Sequence, residues 1–207
     1  MNEKIKQPSY LIPADICFYE QEIKRSKFLA WLAPVDSPEN AKQWIQSIRE
    51  QYPDARHLCW AYIAGAPNTV LKSMSDDGEP SGTAGKPMLN VLEHSGVGDV
   101  AVAVVRYFGG VKLGTGGLAR AYSSSVSGVM KQAEYVMKIA MEDVILHFPY
   151  AEEAQVRYLL GEVKGTVGDL QYSDLVTLSC RVPTDHFNEF KQSLGLDVVV
   201  TESLINP

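Results

Sequence analysis

The sequence predicts an α+β protein of two units, residues 1–138 and residues 139–207. Apolar residues recur at helical spacing in some segments and fill short continuous runs in others, which indicates interleaved helices and strands. Charge is divided unequally, because residues 1–138 carry 15 Lys and Arg against 14 Asp and Glu, whereas residues 139–207 carry 4 against 11. The predicted elements after residue 138 follow the order βαββαβ, which is that of a ferredoxin-like domain.

The composition excludes a membrane-spanning protein. Of the 207 residues, 45% are hydrophobic and 21% are charged, as in soluble globular domains. No apolar run approaches the roughly 20 residues that span a bilayer, and the polar N-terminus lacks the apolar core of a secretory signal. We therefore expect a cytoplasmic protein with no membrane partner.

The three cysteines, Cys17, Cys59 and Cys180, are far apart in the sequence. This pattern fits neither a disulfide framework nor a zinc site with paired-cysteine spacing. They are interpreted as small apolar residues of the core. The sequence predicts no metal site and no cofactor.

The first half of the N-terminal unit is predicted to contain strands on either side of one helix. Residues 1–13 are polar and end in a proline, so they are expected to be loosely held. The helix begins after Asp36 or Ser37, either of which can cap it, with Pro38 in its first turn. Two strands precede the helix and two follow it as a hairpin: residues 14–24, 27–35, 56–64 and 70–75.

The second half of this unit is predicted as helix, strand and helix. A short helix occupies residues 84–92. The run Asp99–Phe108 is the strongest strand signal, and its continuous apolar character indicates burial on both faces. A helix over residues 118–135 follows, and its many small side chains permit close packing.

The C-terminal unit is predicted from alternating strand and helix patterns. Its first helix, residues 150–160, directs Ala154 and Tyr158 to one side. Thr184 is expected to cap the second helix, residues 185–194. Three apolar residues of that helix are expected to face inward: Phe187, Phe190 and Leu194. The strands occupy residues 139–148, 165–172, 175–182 and 198–204.

Two glycine-rich segments, residues 76–89 and residues 104–118, hold eight of the sixteen glycines. Glycine permits positive φ and lets a backbone or a ligand approach closely. Neither the GxGxxG spacing nor the GxxxxGK[ST] spacing of nucleotide-binding loops occurs in these segments. Known nucleotide-binding loops are therefore excluded.

An anion site of another kind is compatible with these segments. Arg106, Lys112 and Lys86 are candidate phosphate ligands. Because a strand, a glycine loop and a helix follow one another, backbone N–H groups are expected at a helix N-terminus. The glycines of that loop and helix start are Gly109, Gly110, Gly114, Gly116 and Gly117. In the alternative interpretation these glycines serve tight turns and close packing of helix on sheet.

Asp76, Asp77 and Glu79 form a compact acidic cluster in the first segment. Such carboxylates can bind Mg²⁺ together with a substrate phosphate, but a solvated turn with Asp77 and Gly78 at its corner fits better. Three further polar residues are secondary candidates for the site: Ser81, Thr83 and His57. They define no nucleophile with its base, so no catalytic residue is assigned, and His57 is interpreted as packed or hydrogen-bonded.

Aromatic residues accompany basic residues on two predicted strands. Trp60 and Tyr62 share one face of their strand, and Arg106 and Phe108 share one face of theirs, by the period of two. Aromatic rings on a sheet can stack unpaired bases while arginine neutralises phosphates. Trp60 and Phe108 are predicted to lie in the core. Arg106 is predicted to lie on the surface, because a lone buried arginine is costly.

The two segments resemble those of the IMPACT family, in particular its bacterial YigZ-like members. The residues that carry the resemblance are Asp-Asp-Gly-Glu-Pro-Ser-Gly-Thr-Ala-Gly-Lys-Pro from Asp76 and Val-Arg-Tyr-Phe-Gly-Gly-Val-Lys-Leu-Gly from Val105. The similarity covers about residues 15–130. It implies that the N-terminal unit is similar to the second domain of ribosomal protein S5, an α/β sandwich. It also implies that the C-terminal unit is similar to a C-terminal domain of elongation factor G.

The resemblance connects the chain with translation, because eukaryotic relatives are linked to translational control through a protein partner. The leading hypothesis is a non-catalytic cytoplasmic protein that associates with RNA or the ribosome in the regulation of translation. Its candidate partners are RNA or the ribosome, and a protein partner in translation control. The nearly neutral N-terminal unit predicts a modest affinity for RNA. Two alternatives stay open: a phosphate-ligand-binding protein or enzyme that uses the two loops as a pocket, and a protein-interaction module.

Overall fold

The computed structural model describes residues 9–202. Contacts divide the chain into two compact units, one of Tyr10–Lys138 and one that contains the chain from Ile139 onward. The α+β class predicted from the sequence is confirmed, because each unit combines sheets and helices. None of the helices within residues 9–202 is long and apolar enough to cross a bilayer.

The first unit contains seven described strands and three helices. They are β1 (Tyr10–Pro13), β2 (Cys17–Ile23), β3 (Ser26–Pro34), α1 (Pro38–Gln51), β4 (His57–Ile63), β5 (Lys72–Ser75), α2 (Gly85–Ser95), β6 (Val100–Tyr107), α3 (Thr115–Gln132) and β7 (Tyr135–Lys138). Five of the strands form one antiparallel sheet in the order β2-β3-β6-β4-β5. Helix α1 covers one face of this sheet, and helices α2 and α3 cover the other face.

The central strand β6 is buried on both faces, as its continuous apolar run predicted. Val100, Val102 and Val104 pack in the cluster that includes α2 and α3. Ala101, Ala103 and Val105 pack in the cluster that includes α1. Helices on both faces therefore give an antiparallel strand the composition that is more typical of parallel sheets.

The predicted start of α1 is confirmed. The Ser37 hydroxyl accepts a hydrogen bond from the backbone N–H of Asn40 at 3.2 Å, and Pro38 occupies the first turn. Its apolar face consists of Ala41, Ile45 and Ile48, which are buried against the sheet. The hydroxyl thus satisfies a donor that the helix geometry leaves without an intrahelical partner.

The expectation that residues 1–13 are loosely held was wrong for β1; residues 1–8 lie outside the described residues. Strand β1 pairs antiparallel with β7, so that Tyr10 lies opposite Lys138. The Tyr10 hydroxyl donates to the Asp99 carboxylate at 2.9 Å, and Lys138 forms an ion pair with the same carboxylate. These two polar contacts fix both ends of the chain segment that makes up the first unit.

The helix predicted over residues 118–135 is displaced toward the N-terminus. Helix α3 begins at Thr115 and ends at Gln132, and Tyr135 belongs to β7. The glycines Gly116 and Gly117 are therefore in the first turn of the helix and not in the loop before it.

The second unit has the predicted order βαββαβ. Its elements are β8 (Met141–Phe148), α4 (Glu153–Glu162), β9 (Thr166–Tyr172), β10 (Val176–Pro183), α5 (Phe187–Ser193) and β11 (Val199–Glu202). The strands pair antiparallel in the order β11-β8-β10-β9. One side of the sheet packs on both helices through the apolar residues Val156, Leu160, Phe187 and Phe190. Residues 203–204 of the last predicted strand lie outside the described residues.

Ala154 and Tyr158 share one side of α4, as predicted, and that side is exposed, whereas Val156 and Leu160 form the buried side. The second helix begins later than predicted. Residues Thr184–His186 form a 3₁₀ turn, and α5 begins at Phe187 instead of residue 185.

The cap of α1 supplies a test of this local structure. Ser37→Ala removes the acceptor for the Asn40 N–H and is expected to lower the free energy of unfolding by about 1 kcal/mol. Ser47→Ala, an exposed change in the middle of the same helix, is the matched control and is expected to be neutral or slightly stabilising. Urea unfolding followed by far-UV circular dichroism measures both, and equal effects would contradict the capping role.

Candidate functional site

A cleft opens where the end of β6, the glycine loop after it and the first turn of α3 meet the start of β4. Its volume is about 660 Å³, which is typical of a small-ligand pocket. We call it the Arg106 cleft. Its lining residues are Asp54, Arg56, His57, Glu79, Pro80, Arg106, Tyr107, Phe108, Lys112, Leu113, Gly114, Thr115 and Leu118.

The structure brings only part of the predicted set of site residues to this cleft. The predicted residues that line it are His57, Glu79, Arg106, Lys112 and Gly114. Those outside its lining are Lys86, Asp76, Asp77, Ser81, Thr83, Gly109, Gly110, Gly116 and Gly117. Lys86 is exposed on the first turn of α2. Arg106 and Lys112 therefore share a site that Lys86 does not line.

A buried ion pair forms the floor of the cleft. Arg106 Nη1 lies 2.6 Å from Glu79 Oε1, and the two side chains are only 8% and 3% exposed. The Tyr122 hydroxyl donates to the same carboxylate oxygen at 2.8 Å. The pair thus joins the first glycine-rich segment, strand β6 and helix α3.

The prediction that Arg106 lies on the surface was wrong. It assumed an arginine without a partner, whereas Glu79 supplies a buried counter-charge and the Phe28 ring lies 5.7 Å from the guanidinium carbon. A paired and hydrogen-bonded charge tolerates burial that a lone charge does not. Arg106 Nε is buried without a hydrogen-bond partner among the described residues.

Cys59 and Tyr122 next to this pair stay protonated at neutral pH. Burial raises the pKa of the Cys59 thiol to about 12, and the thiol donates to the Asp76 carbonyl. Burial, together with the neighbouring Cys59 and Glu79, also raises the pKa of Tyr122. Cys59 is therefore a structural thiol and not a nucleophile.

The acidic residues of the first segment form a turn, as predicted, but their carboxylates are not solvated as expected. Asp76 accepts backbone N–H groups of Gly82, Ala84 and Gly85 at 2.8 to 2.9 Å. Asp77 accepts the Leu58 N–H at 2.6 Å and pairs with a guanidinium on α1. Among residues 9–202, no group of three or more His, Cys, Asp and Glu is placed to hold a metal ion.

The N-terminus of α3 is a wall of the cleft. Gly114 precedes the helix with φ of 74° and ψ of 166°, and no side chain caps the first turn. That positive φ favours glycine. The first turn contains no acidic residue, so its free backbone N–H groups and the positive end of the helix dipole are available to an anion.

The loop between β6 and α3 is held against the turn between β2 and β3. A Cβ atom at Gly109 would lie 1.9 Å from the Arg25 carbonyl oxygen, so no other residue fits there. Close packing thus explains Gly109, in agreement with the alternative interpretation of the glycines.

Phe108, which was predicted to lie in the core, is 58% exposed at the rim of the cleft. The sheet ends at Tyr107, so no neighbouring strand covers the ring. The predicted shared face of Arg106 and Phe108 is confirmed, because the guanidinium carbon lies 5.7 Å from the Phe108 ring centre. Trp60, also predicted in the core, is half-buried and stacks on Tyr62.

The mouth of the cleft carries cations without carboxylate partners. Arg56 and Lys112 are exposed, and within the described residues neither forms a salt bridge. His57 Nδ1 donates to the Asp77 carbonyl at 2.9 Å, as expected of a hydrogen-bonded histidine. Arg56 was not among the predicted site residues, and its position directly before His57 is the sequence signal that indicates it.

Comparison with known proteins identifies both parts of the chain. The Impact N-terminal domain family matches residues 24–130, and a domain of unknown function (DUF1949) matches residues 146–195. The fold and cleft thus define a two-unit α+β protein, and the part that matches the Impact N-terminal domain contains both glycine-rich segments.

Whole-chain relatives agree with these matches. The chain is 42% identical to the IMPACT family member YigZ of Escherichia coli (strain K12) over 188 residues, 90% of this chain and 92% of that protein. It is 35% identical to the IMPACT family member YvyE of Bacillus subtilis (strain 168) over 184 residues, 89% of this chain and 84% of that protein. The crystal structure of a hypothetical protein has a TM-score of 0.73 and 38% identity, covering 97% of this chain and 100% of that one. The chain belongs to the IMPACT family.

The buried ion pair is expected to dominate the stability of the cleft. Glu79→Ala leaves the Arg106 guanidinium buried without its counter-charge, and we expect the free energy of unfolding to fall by about 3–5 kcal/mol. Glu93→Ala is the matched control, since its partner Lys72 is a partly exposed lysine, and it should cost at most about 1 kcal/mol. Urea unfolding of both variants measures the difference. Similar losses in the two would show that the buried pair has no special role.

The Asp76 carboxylate predicts a dependence of stability on pH. Burial alone would raise its pKa, but the N–H groups of Gly82, Ala84 and Gly85 hold the pKa below its ordinary value. The carboxylate therefore stabilises the fold above its unfolded pKa of roughly 3.9, and this contribution is lost as the pH falls through the folded pKa.

Asp76→Asn is expected to lower the free energy of unfolding at pH 7 by about 1–2 kcal/mol. The difference in the free energy of unfolding between the variant and the wild type should become smaller below about pH 4. Asp174→Asn, in an exposed turn, is the control that should match wild type at every pH. Unfolding curves between pH 3 and pH 7 provide the test, and a gap that is constant over this range would contradict it.

Proposed function

We propose that this protein binds unpaired RNA in the Arg106 cleft, as a non-catalytic cytoplasmic protein that acts on the ribosome or on RNA in the regulation of translation. The observation that carries the proposal is the uncapped N-terminus of α3 beside the unpaired cations Lys112 and Arg56. These groups form a binding site for a phosphate.

The phosphate is proposed to accept hydrogen bonds from the backbone N–H groups of Thr115 and Gly116. Lys112 and Arg56 neutralise its charge from the rim. Arg106 is not a primary ligand, because its charge is already paired with Glu79. The role of Arg106 is to hold in place the end of β6 and the backbone at Phe108.

An exposed ring next to a phosphate site favours a single-stranded ligand. Phe108 can stack on an unpaired base. The bases of a duplex are already stacked on one another, so they are not available to the ring. Asp54 also lines the cleft, and the first unit as a whole is nearly neutral. The affinity is therefore expected to be modest and to depend on local charge.

Family membership supports the link with translation, since eukaryotic relatives act in its control. We further propose that Tyr10–Lys138 is a domain similar to the second domain of ribosomal protein S5. The chain from Ile139 is proposed to be a separate ferredoxin-like domain similar to a C-terminal domain of elongation factor G. Both likenesses are to components of the translation apparatus, but likeness of fold alone is a weak argument for function.

A second candidate function follows from the concavity of the cleft. A volume of about 660 Å³ suits a nucleotide or a phosphorylated metabolite as well as one residue of an RNA strand. In that case the protein is a phosphate-ligand-binding protein or an enzyme. A protein-interaction role is the third possibility.

RNA binding is tested with a fluorescein-labelled 12-nucleotide oligouridine, measured by fluorescence anisotropy over a series of salt concentrations. Lys112→Ala is expected to raise Kd about fivefold and to reduce the slope of log K against log salt by ~0.7, the value for one phosphate contact on a single strand. Phe108→Ala is expected to raise Kd about tenfold through lost stacking, with little change in the slope.

The matched control is Lys42→Ala, which changes an exposed lysine on α1. It should leave both the Kd for oligouridine and the slope of log K against log salt unchanged. If Lys112→Ala and Lys42→Ala behave alike, the cleft is not the RNA site. Thermal unfolding with mononucleotides and phosphorylated metabolites, with and without Mg²⁺, separates the second candidate. A rise of several degrees with one such ligand, without oligouridine binding, would replace the RNA proposal.

A further inference from the structure

A second concave surface lies in the first unit, on a different side of α3 from the Arg106 cleft. It runs between α2 and α3 and is closed at one end by the β1–β7 ribbon; we call it the α2–α3 groove. Its volume is about 1140 Å³. The residues that decide its chemistry are Leu11, Val91, Met130, Tyr135, Arg120 and Lys131.

The apolar part of the groove continues onto the ribbon. Leu11 lies opposite Met137 in the β1–β7 pairing, and Tyr135 shares a face with Met137 by the period of two. Leu11 is 39% exposed and Met137 is 54% exposed. A continuous apolar surface of this kind marks a site that another molecule covers.

The charge of the groove has one sign. Arg120 and Lys131 lie on α3 eleven residues apart, which places them on one face of the helix and roughly 16 Å apart along it. No carboxylate residue lines the groove, and within the described residues neither cation forms a salt bridge. The groove therefore presents an apolar strip with an unpaired cation toward each end.

We propose that the α2–α3 groove binds an amphipathic α-helix of a partner protein, with apolar residues on one face and acidic residues flanking them. The apolar strip receives the apolar face, and the acidic residues pair with Arg120 and Lys131. This is the helix-in-groove mode of peptide recognition. Charges at the rim give register and specificity to such a complex.

Other occupants fit the surface less well. An RNA backbone gains nothing from Leu11, Val91 and Met130. A helix from a second copy of this chain is also a poor match, since α4 and α5 already bury their apolar residues in their own core.

The probe is a synthetic 18-residue helical peptide with leucines at i, i+3, i+4 and i+7 spacing and flanking glutamates; its counterpart carries lysines in place of the glutamates. Binding to the full chain is measured by fluorescence anisotropy. The glutamate peptide is expected to bind and the lysine peptide is not. In the double variant Arg120→Glu, Lys131→Glu this preference should reverse, with Kd for the glutamate peptide rising about tenfold or more.

Two further variants localise the contact. Asn90→Trp adds a bulky side chain to the α2 wall of the groove at an exposed position and should abolish binding of the glutamate peptide without changing a charge. Lys42→Glu on α1 should leave binding unchanged. Thermal unfolding of each variant confirms that it is folded.

Several outcomes would overturn the proposal. One is equal binding of both peptides to wild type. Another is glutamate-peptide binding that survives both the charge reversal and Asn90→Trp. A third is no binding of either peptide together with binding of another ligand through Arg120 and Lys131. Binding of anionic vesicles would then assign the groove to a membrane, and binding of oligouridine would assign it to RNA. Self-association that Asn90→Trp abolishes would assign it to a second copy. Loss of RNA binding in Lys112→Ala leaves this proposal unaffected, because Lys112 does not line the groove.

Discussion

The ion pair between Arg106 and Glu79 is the constraint on which the functional surface depends. It connects the two glycine-rich segments, since Glu79 belongs to the first and Arg106 to the second, and the Tyr122 hydroxyl adds helix α3 to the same carboxylate. Breaking such a buried pair costs far more than the pair itself contributes to stability, because one charge is left uncompensated. The ion pair therefore holds three features of the cleft in a fixed arrangement: the end of β6, the exposed ring of Phe108 and the first turn of α3. This arrangement requires both Arg106 and Glu79.

The other carboxylates of the first segment are also committed to the protein's own donors. Asp76 accepts three backbone N–H groups at the start of α2, and Asp77 accepts the Leu58 N–H. These contacts hold the carboxylates in place, and Asp77 is also paired with the Arg49 guanidinium. Lys112 and Arg56 remain without carboxylate partners among the described residues, which gives a nearly neutral unit a locally positive cleft.

Sequence periodicity predicted those elements whose signals are local. The apolar run of β6, the cap and face of α1 and the order βαββαβ all depend on residues close together in the chain, and each is confirmed. Tyr10 lies opposite Lys138 in a strand pair, and Arg106 forms an ion pair with Glu79. Both contacts join residues that are distant in the sequence, so no local pattern predicts them. The prediction for Phe108 failed for a related reason: strand periodicity assigns a side chain to a face but does not tell whether a neighbour covers that face.

Helix α3 presents two chemically different surfaces, and its sequence explains how both can exist. Its first turn contains glycines and no acid, which leaves the backbone N–H groups open at the Arg106 cleft. Its side carries small serines between Arg120 and Lys131, so α2 can lie close while the long cationic side chains stay at the ends of the groove. Lys131 lies fifteen residues beyond Gly116, roughly 22 Å along the helix, and the field of an exposed charge is screened within about 8 Å at physiological ionic strength. Arg120 lies closer to the first turn, since its Nη1 would be 3.7 Å from a Cβ atom at Gly116. A charge reversal at Lys131 alone can therefore weaken peptide binding while the helix N-terminus keeps its affinity for phosphate.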